Sequence, residues 1–118
     1  MSECRPMPKI KRVIDPAGMK KVKAIDHCER CNRPANGFCV LEVAHVISKG
    51  AGGPDIKENC LKLCGPASMS AGCHGMDHRG EIDNDELFGI IAVREEKTME
   101  EIKDITHKAW RFGIYEPG

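Results

Sequence analysis

The hydrophobic pattern divides the chain into short strands and helices separated by glycine-rich turns. An almost continuous apolar and β-branched run, Phe38–Ser48, predicts a strand. A glycine loop, Lys49–Pro54, separates this run from Asn59–Leu63, which predicts a second short strand or turn closing at Cys64. After a loop of small residues, a helix can begin near Cys73 and run to His78 or beyond.

The last third of the sequence has the periodicity of helices. The Asp-Asn pair at 83–84 can cap a helix over Asp85–Arg94, whose first turn is acidic. Thr98 and Glu101 have the spacing of a capping box for a second helix, which is expected to end near Phe112. Apolar residues recur at helical spacing in this second helix, and we expect them in the core: Met99, Ile102, Ile105 and Ala109.

The N-terminal segment differs from the rest in charge. Residues 1–24 hold seven basic and two acidic residues, whereas residues 81–104 hold nine acidic and three basic ones. Three prolines predict an extended lead-in over 1–19, before a short helix over Met19–Ile25. Residues 1–24 are therefore expected to form a basic, extended arm. Such an arm can contact phosphates, but a solvated, partly mobile terminus would have the same composition.

Length and composition indicate one globular domain. The chain has 118 residues, of which 41% are hydrophobic and 31% charged. No apolar run is long enough to cross a membrane, and no apolar stretch follows the N-terminal basic residues. We therefore expect neither a membrane partner nor a secretory signal, and place the protein in the cytoplasm.

Cysteine is over-represented. An odd number of cysteines without a secretory signal favours metal binding over a disulfide framework. Cys28 and Cys31 form a CxxC turn that can present two thiolates to one ion, and Cys64 and Cys73 are the natural second pair, with Cys60 in reserve. Reduced, buried cysteines are the alternative explanation. The seven cysteines are Cys4, Cys28, Cys31, Cys39, Cys60, Cys64 and Cys73.

Three histidines suggest a second site. His74 and His78 are four residues apart, so on a helix both imidazoles lie on one face and can reach one metal ion. His45 lies near the end of the first predicted strand, beside the glycine loop, where a histidine can act as a general base. Taken alone, each has a plainer explanation, as a helix-end or a hydrogen-bonded core residue.

The order of these residues resembles the HNH endonucleases, in particular small phage and prophage members. Residues 42–64, EVAHVISKGAGGPDIKENCLKLC, resemble the signature of that family, and residues 73–82, CHGMDHRGEI, resemble its metal-binding helix. The resemblance implies an α+β fold with a ββα-metal (His-Me finger) core, a zinc-binding cysteine cluster and C-terminal helices. Residues 25–82 would form the nuclease core, and 83–118 a helical extension of the same domain.

The resemblance also implies roles for individual residues. His45 would be the general base, and Asn59 would tie the loop to the strand and steady that base. His74 and His78 would hold a catalytic divalent ion, Mg²⁺, Mn²⁺ or Ni²⁺. A structural Zn²⁺ would take four ligands: Cys28, Cys31, Cys64 and Cys73.

Two positions depart from the family pattern. Ala44 stands where the family usually has Asp or His as a further metal ligand, so the ion would depend on the two histidines, waters and substrate phosphate. Glu42, two residues back on the same strand face, could help through a water. Eight residues separate Cys64 from Cys73 where two are common. This insertion can loop out or can shift zinc ligation to Cys60.

The resulting hypothesis is a metal-dependent DNA endonuclease, acting on double-stranded or branched DNA beside other phage DNA-processing proteins. The alternative is a zinc-stabilised DNA-binding or adaptor module without nuclease chemistry, and a cysteine-based redox protein explains the histidines poorly. Candidate nucleic-acid contacts are Lys9, Lys11, Arg12, Lys49 and Arg79.

Overall fold

The computed structural model describes residues 11–36 and 39–117 and confirms the predicted α+β class. Within these ranges the chain forms one two-stranded antiparallel sheet and four α-helices. The elements are α1 (Pro16–Lys23), β1 (Val40–His45), β2 (Cys60–Gly65), α2 (Gly72–His78), α3 (Asn84–Glu95) and α4 (Met99–Phe112). Three short 3₁₀ turns lie in the connections, at Lys49–Ala51, Lys57–Asn59 and Ala67–Met69.

The hairpin of β1 and β2 is the centre of the fold. Its register pairs Val40 with Gly65 at one end and His45 with Cys60 at the other. β1 ends before the predicted strand does, because the chain bends at Val46 and Ile47; Phe38, at the predicted start, lies outside the described residues. The register therefore places His45 at the mouth of the long connection between the strands.

The main core packs the hairpin against the C-terminal helices. Leu61 and Leu63 of β2, Leu87 and Ile91 of α3, and Ile102 of α4 are completely buried in one cluster. Burial of each such side chain contributes about 1.5–3 kcal/mol. The C-terminal helices therefore share the core of the hairpin.

The predicted caps of the C-terminal helices are present. Asp83 accepts from the backbone N–H of Asp85 at the start of α3, and Thr98 and Glu101 form the expected capping box of α4. α4 ends at Phe112, followed by Gly113 in the left-handed conformation that glycine favours. These local signals fix both helices within a residue of the expected bounds.

The prediction of an extended segment up to residue 19 is wrong at its C-terminal end. α1 begins at Pro16 and ends at Lys23, because proline suits the first turn of a helix and Met19 and Val22 bury themselves against Cys60. Before the helix, Ile14 forms a parallel bridge with Asp55. The part of the predicted arm that the structure describes is thus packed on the domain.

A buried ion network joins α1, α3 and the chain before β2. The Glu95 carboxylate, with a side chain only 3% exposed, contacts the guanidinium of Arg94 at 2.8 Å and the ammonium groups of Lys21 and Lys57 at 3.5 and 3.7 Å. Burial raises the pKa of Glu95, but the Arg94 hydrogen bond and the three cationic charges outweigh it, so the pKa lies below its usual value.

We expect Glu95→Gln to reduce the acid-dependent part of the stability. Because the folded-state pKa is lowered, the stabilisation is complete above the ordinary glutamate value of 4.5 and is lost as the pH falls through the folded-state value. The difference in unfolding temperature between wild type and Glu95→Gln should therefore shrink as the pH falls. Glu96→Gln, at the exposed neighbouring residue, is the control. An equal difference at all pH values would contradict this assignment.

Candidate functional site

A tight turn presents the first two cysteines of the cluster. Cys28 N–H donates to the Arg33 carbonyl at 2.8 Å, and Asn32, at φ 66°, donates back to the Cys28 carbonyl at 2.8 Å. Cys31 N–H points at the Cys28 sulfur, with a distance of 3.4 Å. This hairpin of backbone bonds turns both sulfur atoms to the same side.

The second pair of thiols comes from the hairpin and the following helix. Cys64 lies near the end of β2 and Cys73 in the first turn of α2. The sulfur atoms of Cys28, Cys31, Cys64 and Cys73 all lie within 4.8 Å of one another, so the cluster could hold a metal ion such as zinc. The eight residues between the last two cysteines loop out over the Ala67–Met69 turn.

The remaining cysteines do not join this group in the described structure. Cys60, the reserve ligand of the sequence analysis, is buried instead in the small cluster with Met19 and Val22. Cys39 is buried in the main core, and Cys4 lies outside the described residues. Cys60 is therefore not part of the cluster that could hold a metal ion.

Cys28 and Cys73 have contrasting acidities. Burial opposes ionisation of Cys28, but hydrogen bonds from backbone N–H groups, that of Cys31 foremost, outweigh it and lower its pKa to about 7. Burial raises the pKa of Cys73 to about 12, against the effect of the Arg30 guanidinium, which lies 3.6 Å from its sulfur. A bound cation is thus needed before all four sulfurs can be thiolates together.

A groove at the end of β1 contains all three histidines of the sequence analysis. Its volume is about 490 Å³, and His45 from the end of β1 and His74 and His78 from α2 line it. The rest of its polar lining is Lys23, Ser48, Lys49 and Asp55. The connection between the strands and the short helix α2 thus bring together histidines that lie up to 33 positions apart.

His74 is oriented by a carboxylate. Its Nδ1 lies 2.8 Å from Glu42 Oε1, which also accepts a 2.8 Å hydrogen bond from the backbone N–H of Ala67. Burial raises the pKa of Glu42, but these two hydrogen bonds outweigh it and lower the pKa below its usual value. An ionised Glu42 accepts a hydrogen bond from the Nδ1–H of His74. The other ring nitrogen, Nε2, is then left as an electron-pair donor.

The two helical histidines are neighbours. The ring centroids of His74 and His78 are 4.6 Å apart, in an edge-to-face arrangement. His78 is exposed at the last residue of α2. Burial raises the pKa of Asp77 between them, whereas the charges of both histidines act in the opposite direction.

His45 has a carboxylate partner of its own, and the sequence analysis did not assign it. His45 Nε2 lies 2.6 Å from Asp55 Oδ1, and both side chains are mostly buried. The signal in the sequence is an aspartate ten residues after a strand-end histidine, across a glycine loop. The hairpin register alone does not show that this loop folds back on His45.

Asn59 ties the two ends of the glycine loop together. Its amide nitrogen donates to the carbonyls of Ile47 at 3.1 Å and Pro54 at 2.9 Å, and its oxygen accepts from Ile47 N–H at 2.8 Å. The side chain is fully buried, so each lost bond would leave an unsatisfied polar group.

Ala44 does not face the groove as a ligand. It is 1% exposed and belongs to the main core. The sequence analysis suggested that Glu42, on the same strand, could help to hold the ion through a water; in the structure its carboxylate bonds to the His74 ring. Any effect of the Glu42 carboxylate on a bound ion would therefore pass through the ring of His74.

The candidate nucleic-acid contacts are in different situations. Lys49 lines the groove, whereas Arg12 contacts Asp55 at 3.5 Å and Arg79 is bonded to Glu81 and Ser70. Lys11 is exposed, and Lys9 lies outside the described residues. Lys23 of α1 lines the groove without having been singled out by the sequence analysis.

Comparisons with protein-family models, with curated proteins and with solved structures give no match for this chain. Across the described residues, no helix combines the length and the apolar character that crossing a membrane requires.

We expect the four-cysteine cluster to bind one metal ion. Titration with Co²⁺ should give the thiolate charge-transfer and visible bands of a tetrahedral sulfur site. Addition of Zn²⁺ should then displace Co²⁺ and remove these bands. Cys64→Ser should abolish this spectrum and lower the unfolding temperature, while Cys39→Ala should retain the spectrum. Equal cobalt spectra for Cys64→Ser and wild type would contradict the assignment.

Proposed function

We propose that this protein is a metal-dependent DNA endonuclease of the HNH type, in which β1, β2 and α2 form a ββα-metal core. The observation that carries the proposal is the shared groove: His45 at a strand end faces the same space as His74 and His78 of the helix. The carboxylates behind His45 and His74 support it, because each leaves one ring nitrogen available for chemistry.

In this proposal His45 removes a proton from water. The water oxygen forms a bond to the phosphorus of the scissile phosphodiester as the proton moves to the His45 ring. The bond between phosphorus and the 3′ oxygen then breaks, and the 3′ oxygen takes a proton from solvent. The products carry 5′-phosphate and 3′-hydroxyl ends. General base catalysis of this kind contributes about 10²–10⁴-fold to a rate.

His74 and His78 are the residues that would hold the catalytic divalent ion. A metal-binding histidine almost always donates its other ring N–H to a carboxylate or carbonyl, and the Glu42–His74 pair has this arrangement. The bound ion, Mg²⁺, Mn²⁺ or Ni²⁺, would neutralise phosphate charge and stabilise the leaving oxygen. Waters and substrate phosphate would complete its coordination, since Ala44 offers no ligand.

The cysteine cluster serves this site indirectly. We assign it a structural Zn²⁺, which would fasten the CxxC turn to β2 and to the start of α2. Cys73 directly precedes His74, and its N–H lies 3.3 Å from the Cys64 sulfur. Since α2 has no side-chain cap at its N-terminus, metal ligation there would fix the position of His74.

DNA is the proposed substrate, double-stranded or branched. Lys23 and Lys49 supply positive charge to the groove, as phosphate contacts require. A protein of this kind would act with its DNA inside the cell, beside other phage DNA-processing proteins.

One observation favours the alternative, a zinc-stabilised DNA-binding or adaptor module without nuclease activity. Among the described residues, the cysteines form the only close group of three or more metal-ligating side chains. Within these residues, His74 and His78 therefore belong to no such group. Cleavage assays separate the two functions.

We expect the purified protein to relax supercoiled plasmid in Mg²⁺, Mn²⁺ or Ni²⁺ but not in EDTA. His45→Ala should lower the rate by about 10² or more, because the general base is lost. His107→Ala, at an exposed histidine of α4, is the matched control and should cleave like the wild type. Undiminished cleavage by His45→Ala would refute the role of His45. Salt-sensitive DNA binding without cleavage in any metal would favour the alternative.

Glu42→Gln should weaken the catalytic metal site. The amide is a poorer acceptor for the His74 N–H, and loss of such a partner typically costs about 10–100-fold in metal affinity or activity. The midpoint of the Mn²⁺ dependence of cleavage should therefore move to higher concentration. Glu81→Gln, at an exposed carboxylate paired with Arg79, is the control. An unchanged midpoint would show that Glu42 does not act on the metal.

A further inference from the structure

The environment of His45 carries an inference beyond the roles that the family resemblance implies. We propose that Asp55 is a positioning residue, which fixes His45 in the tautomer with its proton on Nε2 and its free electron pair on Nδ1. This inference rests on the proposed function, in which His45 accepts the proton of the attacking water.

The geometry of the pair decides which nitrogen carries the proton. An ionised carboxylate can only accept hydrogen bonds, so the 2.6 Å contact with Asp55 Oδ1 requires Nε2 of a neutral His45 to be the donor. Nδ1 has no partner among the residues that the structure describes. His45 lines the groove, and the unbonded nitrogen is the one that can receive a proton there.

Asp55 is itself fixed by the segment that precedes α1. Its backbone N–H donates to the Val13 carbonyl and its carbonyl accepts from Asp15 N–H, both at 2.9 Å. The second carboxylate oxygen, Oδ2, faces the Arg12 guanidinium at 3.5 Å. The carboxylate thus has Oδ1 directed to His45 and Oδ2 to Arg12, and cannot turn without losing one of them.

The loop before Asp55 is fixed as well. Asn59 bonds the carbonyl of Pro54, the residue next to Asp55. The backbone on both sides of the carboxylate is therefore tied down, by Asn59 and by residues 13 and 15. A short chain of contacts runs from the N-terminal segment through Asp55 to the ring of His45.

A merely structural Asp55–His45 contact is the competing explanation. In that case loss of the carboxylate would lower stability, but the tautomer of His45 would be unrelated to catalysis. A readout of the ring itself is therefore needed, together with a separation of kcat from KM.

The first measurement is long-range ¹H–¹⁵N correlation NMR on the zinc-loaded wild type at alkaline pH, where unperturbed histidines are neutral. His45→Gln assigns the ring signals. The expected result is the Nε2–H tautomer of His45, and the Nδ1–H tautomer would overturn the proposal without any variant of Asp55.

The second measurement is plasmid cleavage by variants of Asp55 with confirmed zinc content and unfolding temperature. Asp55→Asn should lower kcat by about 10² or more, since an amide can donate to Nε2 and select the wrong tautomer, while KM for DNA changes by less than about 3-fold. Asp55→Glu should be more active than Asp55→Gln. The two new side chains are equally long, but only glutamate keeps a carboxylate.

The control is Asp26→Asn, which removes the carboxylate of an exposed histidine–aspartate pair, 3.1 Å from His27 Nδ1 and away from the groove. It should leave cleavage and the His45 signals unchanged. A wild-type kcat for Asp55→Asn, in a protein whose His45→Gln variant is inactive, would overturn the role of Asp55 alone. Absence of cleavage by the wild type would instead overturn the proposed function, and the positioning role of Asp55 with it.

Discussion

The convergence of four thiols is the constraint on which the rest of the structure depends. Their sulfur atoms lie within 4.8 Å of one another, so the protein either keeps most of them protonated or binds a cation among them. The cluster joins three parts of the chain: the CxxC turn, the end of β2 and the start of α2. The seven-residue helix α2 has no side-chain cap, and isolated helices of this length are not stable in water. The position of His74 thus depends on the thiols beside it.

The groove repeats one arrangement twice. Glu42 contacts a nitrogen of His74 and Asp55 contacts a nitrogen of His45, so each ring has one nitrogen engaged with a carboxylate. The engaged nitrogens differ, Nδ1 in His74 and Nε2 in His45. A free Nε2 at the tip of a ring suits a metal ligand, whereas a free Nδ1 at the end of a strand suits proton transfer beside a bound phosphate. On the proposed function, the two carboxylates divide the roles between chemically identical side chains.

Local rules in the sequence predicted the parts of the fold that local interactions determine. The capping box of Thr98 and Glu101 fixed the start of α4 in both sequence and structure, and the CxxC turn indicated a thiol pair. Contacts across loops were harder to predict from the sequence. The spacing of Cys64 and Cys73 left Cys60 as an alternative metal ligand, and the sequence analysis assigned no role to Asp55. The position of Cys73 and that of Asp55 each depend on how a loop folds back. Hydrogen bonds to the loop backbone, such as those of the Asn59 side chain, set this folding. The start of α1 at Pro16 was missed because burial of Met19 and Val22 against β2 overrides the extended tendency of the proline-rich segment.

Burial of Ala44 in the core has a consequence for the affinity of the catalytic ion. On the proposed function the protein offers the catalytic ion only two imidazoles, and oxygen ligands from water and the scissile phosphate must complete its shell. An ion that shares a ligand with the substrate binds more tightly when the substrate is present, and by linkage the substrate binds more tightly when the ion is present. The free protein would then hold this ion weakly, while the four-thiol site retains its own. A weak ion in the absence of DNA is therefore compatible with cleavage, since the phosphate supplies at the moment of reaction what position 44 lacks.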